Sequence, residues 1–297
     1  MNIRPCVYAG SFYPADSSSL LRMLEHFFSR CDAHNIPAGA FVYGIVSPHA
    51  GYIYSGQVAA TAFSALVKPF TGTVIVIGPG HRTAHSAISA CEWETPLGNL
   101  KSDEQILYTL SKISGIAVND QVHAKEHAIE VILPFVKYLF PQAQIVAVQL
   151  GDQRLLTSKE LGKAISLSLK ETKKVLGSDV YIVASSDGSH YVSHTEALEA
   201  DAYALSALVN LNLDSHEFYK RVKQSTMCGY GPIIAMVTAS LEFGAEQGIC
   251  LSYKTSGEVT GDNTQVVGYA AMAIISKGEN TQGDLGGMEI KNKPGMQ

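Results

Sequence analysis

Thr73-Val-Ile-Val-Ile-Gly78 is an unbroken β-branched run closed by glycine. Successive side chains of a strand point to opposite faces, so a strand that is apolar at every position must be covered on both sides. That is the situation of a parallel strand inside an α/β layer structure, and it constrains the rest of the chain. Phe41 to Val46, Ile145 to Leu150 and Val180-Tyr-Ile-Val-Ala184 read as further strands. Helical periodicity alternates with them. Asp16 or Ser17 caps a helix with Leu20, Leu21, Leu24, Phe27 and Phe28 on one face, and another helix opens near Ser55 and stops before Pro69. Helices are also expected over Ser102 to Ile113, Glu126 to Phe135, Ser158 to Leu176, Glu196 to Val209, Ser215 to Gln224 and Ile233 to Phe243. Ala87 to Ala90, Leu251 to Tyr253 and Val266 to Ile275 complete the strands. The expected fold is α/β: a single domain over residues 1–276 with a central, largely parallel mixed sheet flanked by helices. From Lys277 onward the chain is rich in Gly, Lys and Asn without periodicity, and residues 277–297 are expected to form a disordered tail.

Among 297 residues, 46% are hydrophobic and 16% charged, which suits a sizeable core and excludes wholesale disorder. A net charge of −5 offers no basic stripe for nucleic-acid phosphates. The five cysteines, Cys6, Cys31, Cys91, Cys228 and Cys250, are scattered without C-x-x-C spacing, so reduced thiols are expected rather than a disulfide framework. The N-terminal stretch lacks the apolar core of a signal peptide, and no run of about 18 apolar residues can span a bilayer. The expectation is a cytoplasmic protein with neither a membrane nor a nucleic-acid partner.

Strand ends are where an open α/β sheet binds ligands, in the crevice past the carboxyl edge. His49 follows Ser47-Pro48 at the end of one strand, and His81 follows Gly78-Pro-Gly80 at the end of the next. Placement after such punctuation aims each imidazole at that crevice and suits either metal ligation or acid–base work. Ser185-Ser-Asp187-Gly-Ser-His190 ends a third strand and pairs a carboxylate with an imidazole. Cys228 precedes Gly-Tyr-Gly-Pro232 and a helix start, where a thiolate is favoured by the exposed amides. Two imidazoles and one anionic ligand can hold a divalent ion with open positions. With a cysteine as the third ligand the site turns softer, open to copper(I) or zinc as well as iron. His127 and Glu130, at i and i+3 of an expected helix, read as supporting residues, and Tyr52 and Tyr54 as candidate cleft walls.

Together these motifs resemble the Memo family, whose prokaryotic members are called AmmeMemoRadiSam system protein B. The matching stretches include Tyr8-Ala-Gly-Ser-Phe-Tyr-Pro14, Ser47-Pro-His-Ala-Gly-Tyr-Ile-Tyr-Ser-Gly56, Gly78-Pro-Gly-His81 and Trp93-Glu-Thr-Pro-Leu-Gly98. Glu126-His-Ala-Ile-Glu-Val-Ile-Leu-Pro134, Ser185-Ser-Asp-Gly-Ser-His-Tyr191 and Met227-Cys-Gly229 continue the match, which spans residues 5 to 275. The resemblance implies a fold like that of the class III (LigB-type) extradiol dioxygenases, which use non-haem iron to cleave aromatic diols. It places His49, His81 and Cys228 on the family's metal-ligand positions, and Asp187 and His190 on its remaining cleft positions. His190 looks like the dioxygenases' acid–base histidine. Those enzymes supply a glutamate where this chain has Cys228, so ordinary ring opening is not the expected reaction.

The resemblance therefore implies a mononuclear metal site, Fe(II) first with Cu(I) or Zn as alternatives, in a metal-dependent redox enzyme. Metal is expected on His49, His81 and Cys228, and catalytic proton transfer on His190 with Asp187. Tyr54, His127 and Glu130 are expected to support the site or line its cleft. A second reading is a non-catalytic metal-binding or (phospho)peptide-binding module on a dioxygenase scaffold. A third makes Cys228 a nucleophile with His190 as its base. A small molecule or a peptide is the expected occupant of the cleft, and the family's naming implies a functional link to a radical-SAM protein.

Overall fold

The computed structural model describes residues 2–31, 36–211, 220–222 and 225–278. Its elements are, in order, β1 (Ile3–Arg4), α1 (Ser17–Ser29), β2 (Val42–Ser47), α2 (Tyr52–Ser64), β3 (Thr73–Pro79), β4 (Ala87–Ser89) and β5 (Glu92–Trp93). Then come α3 (Glu104–Ser114), α4 (Asp120–His123), a 3-10 turn (Glu130–Ile132), α5 (Leu133–Leu139), β6 (Gln144–Leu150), α6 (Leu155–Glu171) and β7 (Val180–Ser185). The last described elements are β8 (His190–Val192), α7 (His194–Val209), α8 (Tyr230–Leu241), β9 (Gln247–Thr255), α9 (Gly257–Thr260) and β10 (Val266–Ile275).

The principal sheet has the order β4-β6-β3-β7-β2-β10-β8, with β9 paired to β10. Its centre, β6-β3-β7-β2, is parallel; β4, β8, β9 and β10 are antiparallel to their neighbours. This is the expected α/β domain with a largely parallel mixed sheet. The two-faced burial inferred from Thr73 to Gly78 is realised residue by residue. Ile75 and Ile77 of β3 pack into one core, and Val74 and Val76 into the other. The first core is covered by α3, α6, α7 and α8, the second by α1, α2 and α5. Asp16 caps α1 and Asp103 caps α3 through side-chain oxygens that accept main-chain N–H groups.

Three expectations change. Glu126 to Phe135 is not one helix: residues 126 to 129 are irregular, the 3-10 turn follows, and α5 begins with Pro134 in its first turn. The Glu126 carboxylate accepts the N–H groups of His127 and Ala128, which turns the chain locally and competes with helical bonding. His127 and Glu130 therefore do not share a helical face. His190 to Val192, where no element is expected, pairs with β10 as a short strand. The strand expected at Leu251 to Tyr253 extends over Gln247–Thr255, because β10 offers it a full-length partner. Most of the helix expected over Ser215 to Gln224 lies outside the described residues, with residues 220–222 helical, and the tail beyond Gly278 lies outside them too. Among the described residues, no helix is long and apolar enough to cross a membrane.

Candidate metal centre

The parallel strands β2, β3 and β7 run the same way, so their carboxyl ends deliver His49, His81 and Asp187 to one edge of the sheet. His49 is 1% exposed. Its main-chain N–H donates to Asp187 Oδ1 at 2.8 Å, and its Nδ1 lies 2.8 Å from Ser185 Oγ. Ser185 donates its only hydroxyl proton to Ala128 O at 2.6 Å, so toward His49 it acts as acceptor and Nδ1 carries the proton. The lone pair is thereby left on Nε2, which lies 3.3 Å from Cys228 Sγ.

His81 is held by Glu126, whose side chain is 2% exposed. Its main-chain N–H donates to Oε2 at 2.8 Å and its Nδ1–H to Oε1 at 2.9 Å, which again leaves Nε2 free. Burial pushes the Glu126 carboxyl up, but hydrogen bonds from His127, His81 and the Ala128 amide outweigh it and hold the group well below the usual carboxylate range. It is an anion at neutral pH. His127 Nδ1 lies 3.2 Å from the same Oε1, and its ring stacks on His81 at 4.6 Å and meets His49 edge-on at 5.3 Å. Glu126, absent from the residues singled out in the sequence, thus orients two imidazoles.

Ligand atoms of His49, His81 and Cys228 all lie within 4.8 Å of one another. The trio His81, Glu126 and His127 meets the same distance criterion. There, however, the carboxylate already accepts the imidazole and main-chain protons, so it orients His81 of the first group. Burial, then the neighbouring His127 and His81, holds the His49 pKa well below its ordinary value, so it stays a neutral donor. Burial, then Asp187, pushes the Cys228 thiol up. A metal ion held on Sγ would displace the thiol proton. Sγ also accepts the Asp187 N–H at 3.2 Å.

The chain matches the sequence model of the Memo-like protein family over residues 4–273. It belongs to the Memo family. Among its relatives, the MEMO1 family protein of Ignicoccus hospitalis is 37% identical over 284 residues, covering 92% of this chain and 98% of the relative. That of Methanococcus vannielii is 37% identical over 288 residues, with 92% and 99% coverage. That of Methanothermobacter thermautotrophicus is 35% identical over 285 residues, with 91% and 99% coverage. The match to the Memo family runs through every residue of the cluster just described.

The remaining expected site residues are distributed around this Memo-family cluster. Asp187 is buried, which raises its pKa, and its carboxylate serves the His49 main chain at 2.8 Å; its Oδ2 is 3.9 Å from His49 Nε2. No hydrogen bond joins it to the His190 side chain, and the pairing read from their spacing acts through charge, the imidazole lowering the Asp187 pKa against its burial. His190 is half-buried on β8, its N–H donating to Thr226 Oγ1 at 2.9 Å. Tyr54 is 39% exposed on the first turn of α2. Burial raises the Tyr269 pKa, and Asp187, Tyr54 and Tyr191 add to the rise. Tyr52, in contrast, is 1% exposed and donates its hydroxyl to Val131 O, a core residue rather than a cleft wall. Glu130 turns away from the cluster. It accepts from Arg4 Nη1 and the Tyr8 N–H at 2.6 Å and from the Tyr13 hydroxyl at 2.7 Å, fastening the N-terminal segment.

Proposed function

We propose that this Memo-family protein holds one metal ion on His49 Nε2, His81 Nε2 and Cys228 Sγ, and that the loaded site performs redox chemistry on a small molecule in the cleft. Iron is the first expectation; copper(I) and zinc are the alternatives that a thiolate-containing donor set admits. One observation carries this reading. Both histidines have their Nδ1 protons committed, to Ser185 and to Glu126, so both lone pairs fall on Nε2, that of His49 directly beside the Cys228 thiol. A site fitted only for packing would not require both tautomers to be set this way.

When bound, such an ion supplies Lewis-acid and electron-transfer chemistry. The chain supplies the rest. Asp187 holds the His49 main chain and donates its N–H to the thiol, Glu126 holds His81 and His127, and His190 on β8 is the proposed proton carrier. Tyr54 and Tyr191, both exposed, offer ring surface to a flat or aromatic molecule. A second reading, a non-catalytic metal-binding or (phospho)peptide-binding module, draws on the same exposed tyrosines and on the lack of a carboxylate hydrogen-bonded to His190. The thiol-nucleophile reading fits less well, because Cys228 faces His49 instead of His190 and burial keeps its thiol protonated. A cytoplasmic setting and a functional link to a radical-SAM protein belong to the same proposal.

The test is metal analysis of protein purified without oxygen, alongside Cys228→Ala. One equivalent of iron in the wild type and its loss in the variant are expected. A full metal complement in Cys228→Ala defeats the ligand assignment. Metal-dependent dioxygen uptake with a small aromatic substrate separates the enzyme from the binding module.

A further inference from the structure

Each central parallel strand ends in a residue of this edge. After β2 comes His49, after β3 His81, after β7 Asp187, and after β6 the segment Gly151-Asp-Gln153. The Gln153 side chain reaches the turn that carries Cys228. Its Nε2 donates to Cys228 O at 2.9 Å, and its Oε1 accepts the Gly231 N–H at 2.9 Å. Both partners are main-chain groups of fixed polarity, so the amide has only one satisfied orientation. One planar side chain thus grips the turn on either side of Gly229 and Tyr230, as a neighbouring strand would.

The grip is close. A Cβ at Gly231 would stand 2.9 Å from Gln153 Cβ and Cγ, and one at Gly229 would stand 2.2 Å from Ser185 O. Gly229 N–H donates to Ser186 Oγ at 2.9 Å, so the turn is pressed against the end of β7 while Gln153 holds it from the β6 side. The residue two positions before Cys228, Thr226, sits at φ +52°, a conformation that a β-branched side chain does not adopt without external restraint. Cys228 comes from no strand end of its own. Its sulfur faces His49 only because this turn is held.

We propose that Gln153 is the positioning residue for the Cys228 thiol, binding the end of β6 to the ligand that the strand ends do not supply. The proposal concerns the placement of Sγ; its consequence for metal affinity rests on the function proposed above. Residues that orient a ligand in this way are worth about 10–100-fold in metal affinity.

Two variants separate the roles of the amide. Gln153→Met keeps length and loses both bonds. Gln153→Glu keeps the acceptor for Gly231 and sets a carboxylate oxygen against Cys228 O. The first measurement needs no metal: alkylation of each cysteine in the folded protein, followed by peptide mass spectrometry. Cys228 is expected to react several-fold faster in both variants, Gln153→Glu the more, with Cys31 and Cys250 unchanged. The second is titration with cobalt(II), reading the thiolate-to-metal absorption. Roughly tenfold weaker binding is expected, with a smaller thiolate band at saturation while cobalt stays on the histidines. Wild-type alkylation rates at Cys228 in both variants overturn the proposal. A uniform rise at all cysteines also overturns it, since that is general loosening. If wild-type protein shows no Cys228-dependent band, the metal reading fails, and the alkylation rates alone decide whether Gln153 places the thiol.

Discussion

The two walls of the site are built differently. The imidazole wall rests on strand ends, with His49 and His81 directly after β2 and β3 and their ring protons fixed by Ser185 and by the buried Glu126 carboxylate. The opposite wall, Cys228 and His190, comes from the turn before α8 and from the short edge strand β8. Four successive amides there, from Asp187 to His190, donate in turn to Cys228 Sγ, Gly268 O, the Asp201 carboxylate and Thr226 Oγ1. Two side chains of this wall, Tyr191 at φ +57° and Thr226 at φ +52°, lie in the left-handed region. The contrast teaches that the sheet sets the half of the site which must be rigid in any state. The other half is fixed by hydrogen bonds drawn from several elements and stores backbone strain of order 1–3 kcal/mol per residue.

The largest effect is expected from attacking the rigid wall at the buried carboxylate that holds His81. Glu126→Gln replaces an anion that accepts from His81, His127 and Ala128 with an amide whose NH2 must face at least one of those donors. Metal affinity should fall by about 10–100-fold, and stability by about 2–4 kcal/mol, because buried donors lose a charged acceptor. Metal titration and urea unfolding measure the two. A loss of stability with affinity unchanged would make Glu126 a structural residue only and erase the distinction between the walls.

Acid should reach the same wall by a second route. His123 closes α4 three residues before Glu126, is fully buried, and has no partner for either ring nitrogen. Burial, then the nearby Arg4, lowers its pKa from 6.5 to about 4. The sign follows from linkage: the unfolded chain takes up this proton below about pH 6.5 while the folded one refuses it until about pH 4. Stability is therefore complete above pH 6.5 and declines as pH falls toward 4, by about 3 kcal/mol from this group alone. His123→Leu should flatten that part of the stability–pH curve, measured by urea midpoints from pH 7 to pH 4.5. An unchanged slope would show that other groups carry the acid sensitivity.

The difference between the walls also explains what the sequence disclosed. Strands apolar on both faces are legible because nothing else makes a run such as Thr73 to Gly78. Histidines placed just past Pro or Gly at strand ends are legible for the same reason. Glu126 was not, since it lies in an irregular turn and works on an imidazole 45 residues earlier in the chain. Helical spacing drew attention instead to Glu130, which serves Arg4, Tyr8 and Tyr13. Gln153 was invisible for a chemical reason: a lone amide signals neither a soft-metal ligand nor a proton carrier, so only contact with the Cys228 turn reveals it. The short strand at His190 went unseen because its residues are half-buried or exposed and carry no apolar alternation.

The smallest effect tests whether strain in the second wall is kept for a purpose. Thr226→Gly relieves the left-handed conformation, a gain of about 1 kcal/mol, but removes the hydroxyl that accepts the His190 N–H. That lost bond costs about as much, and glycine adds freedom to the unfolded chain, so net stability should fall slightly or not at all. Thr226→Asn tolerates the same backbone and keeps an acceptor, so it should stabilise by a few tenths to about 1 kcal/mol. The telling measurement is amide hydrogen exchange at His190, which should quicken in Thr226→Gly and stay slow in Thr226→Asn. Equal exchange in the two variants would mean that the hydroxyl does not hold His190. The second wall would then owe its geometry to the β8–β10 pairing, and the two halves of the site would be braced by the sheet alike.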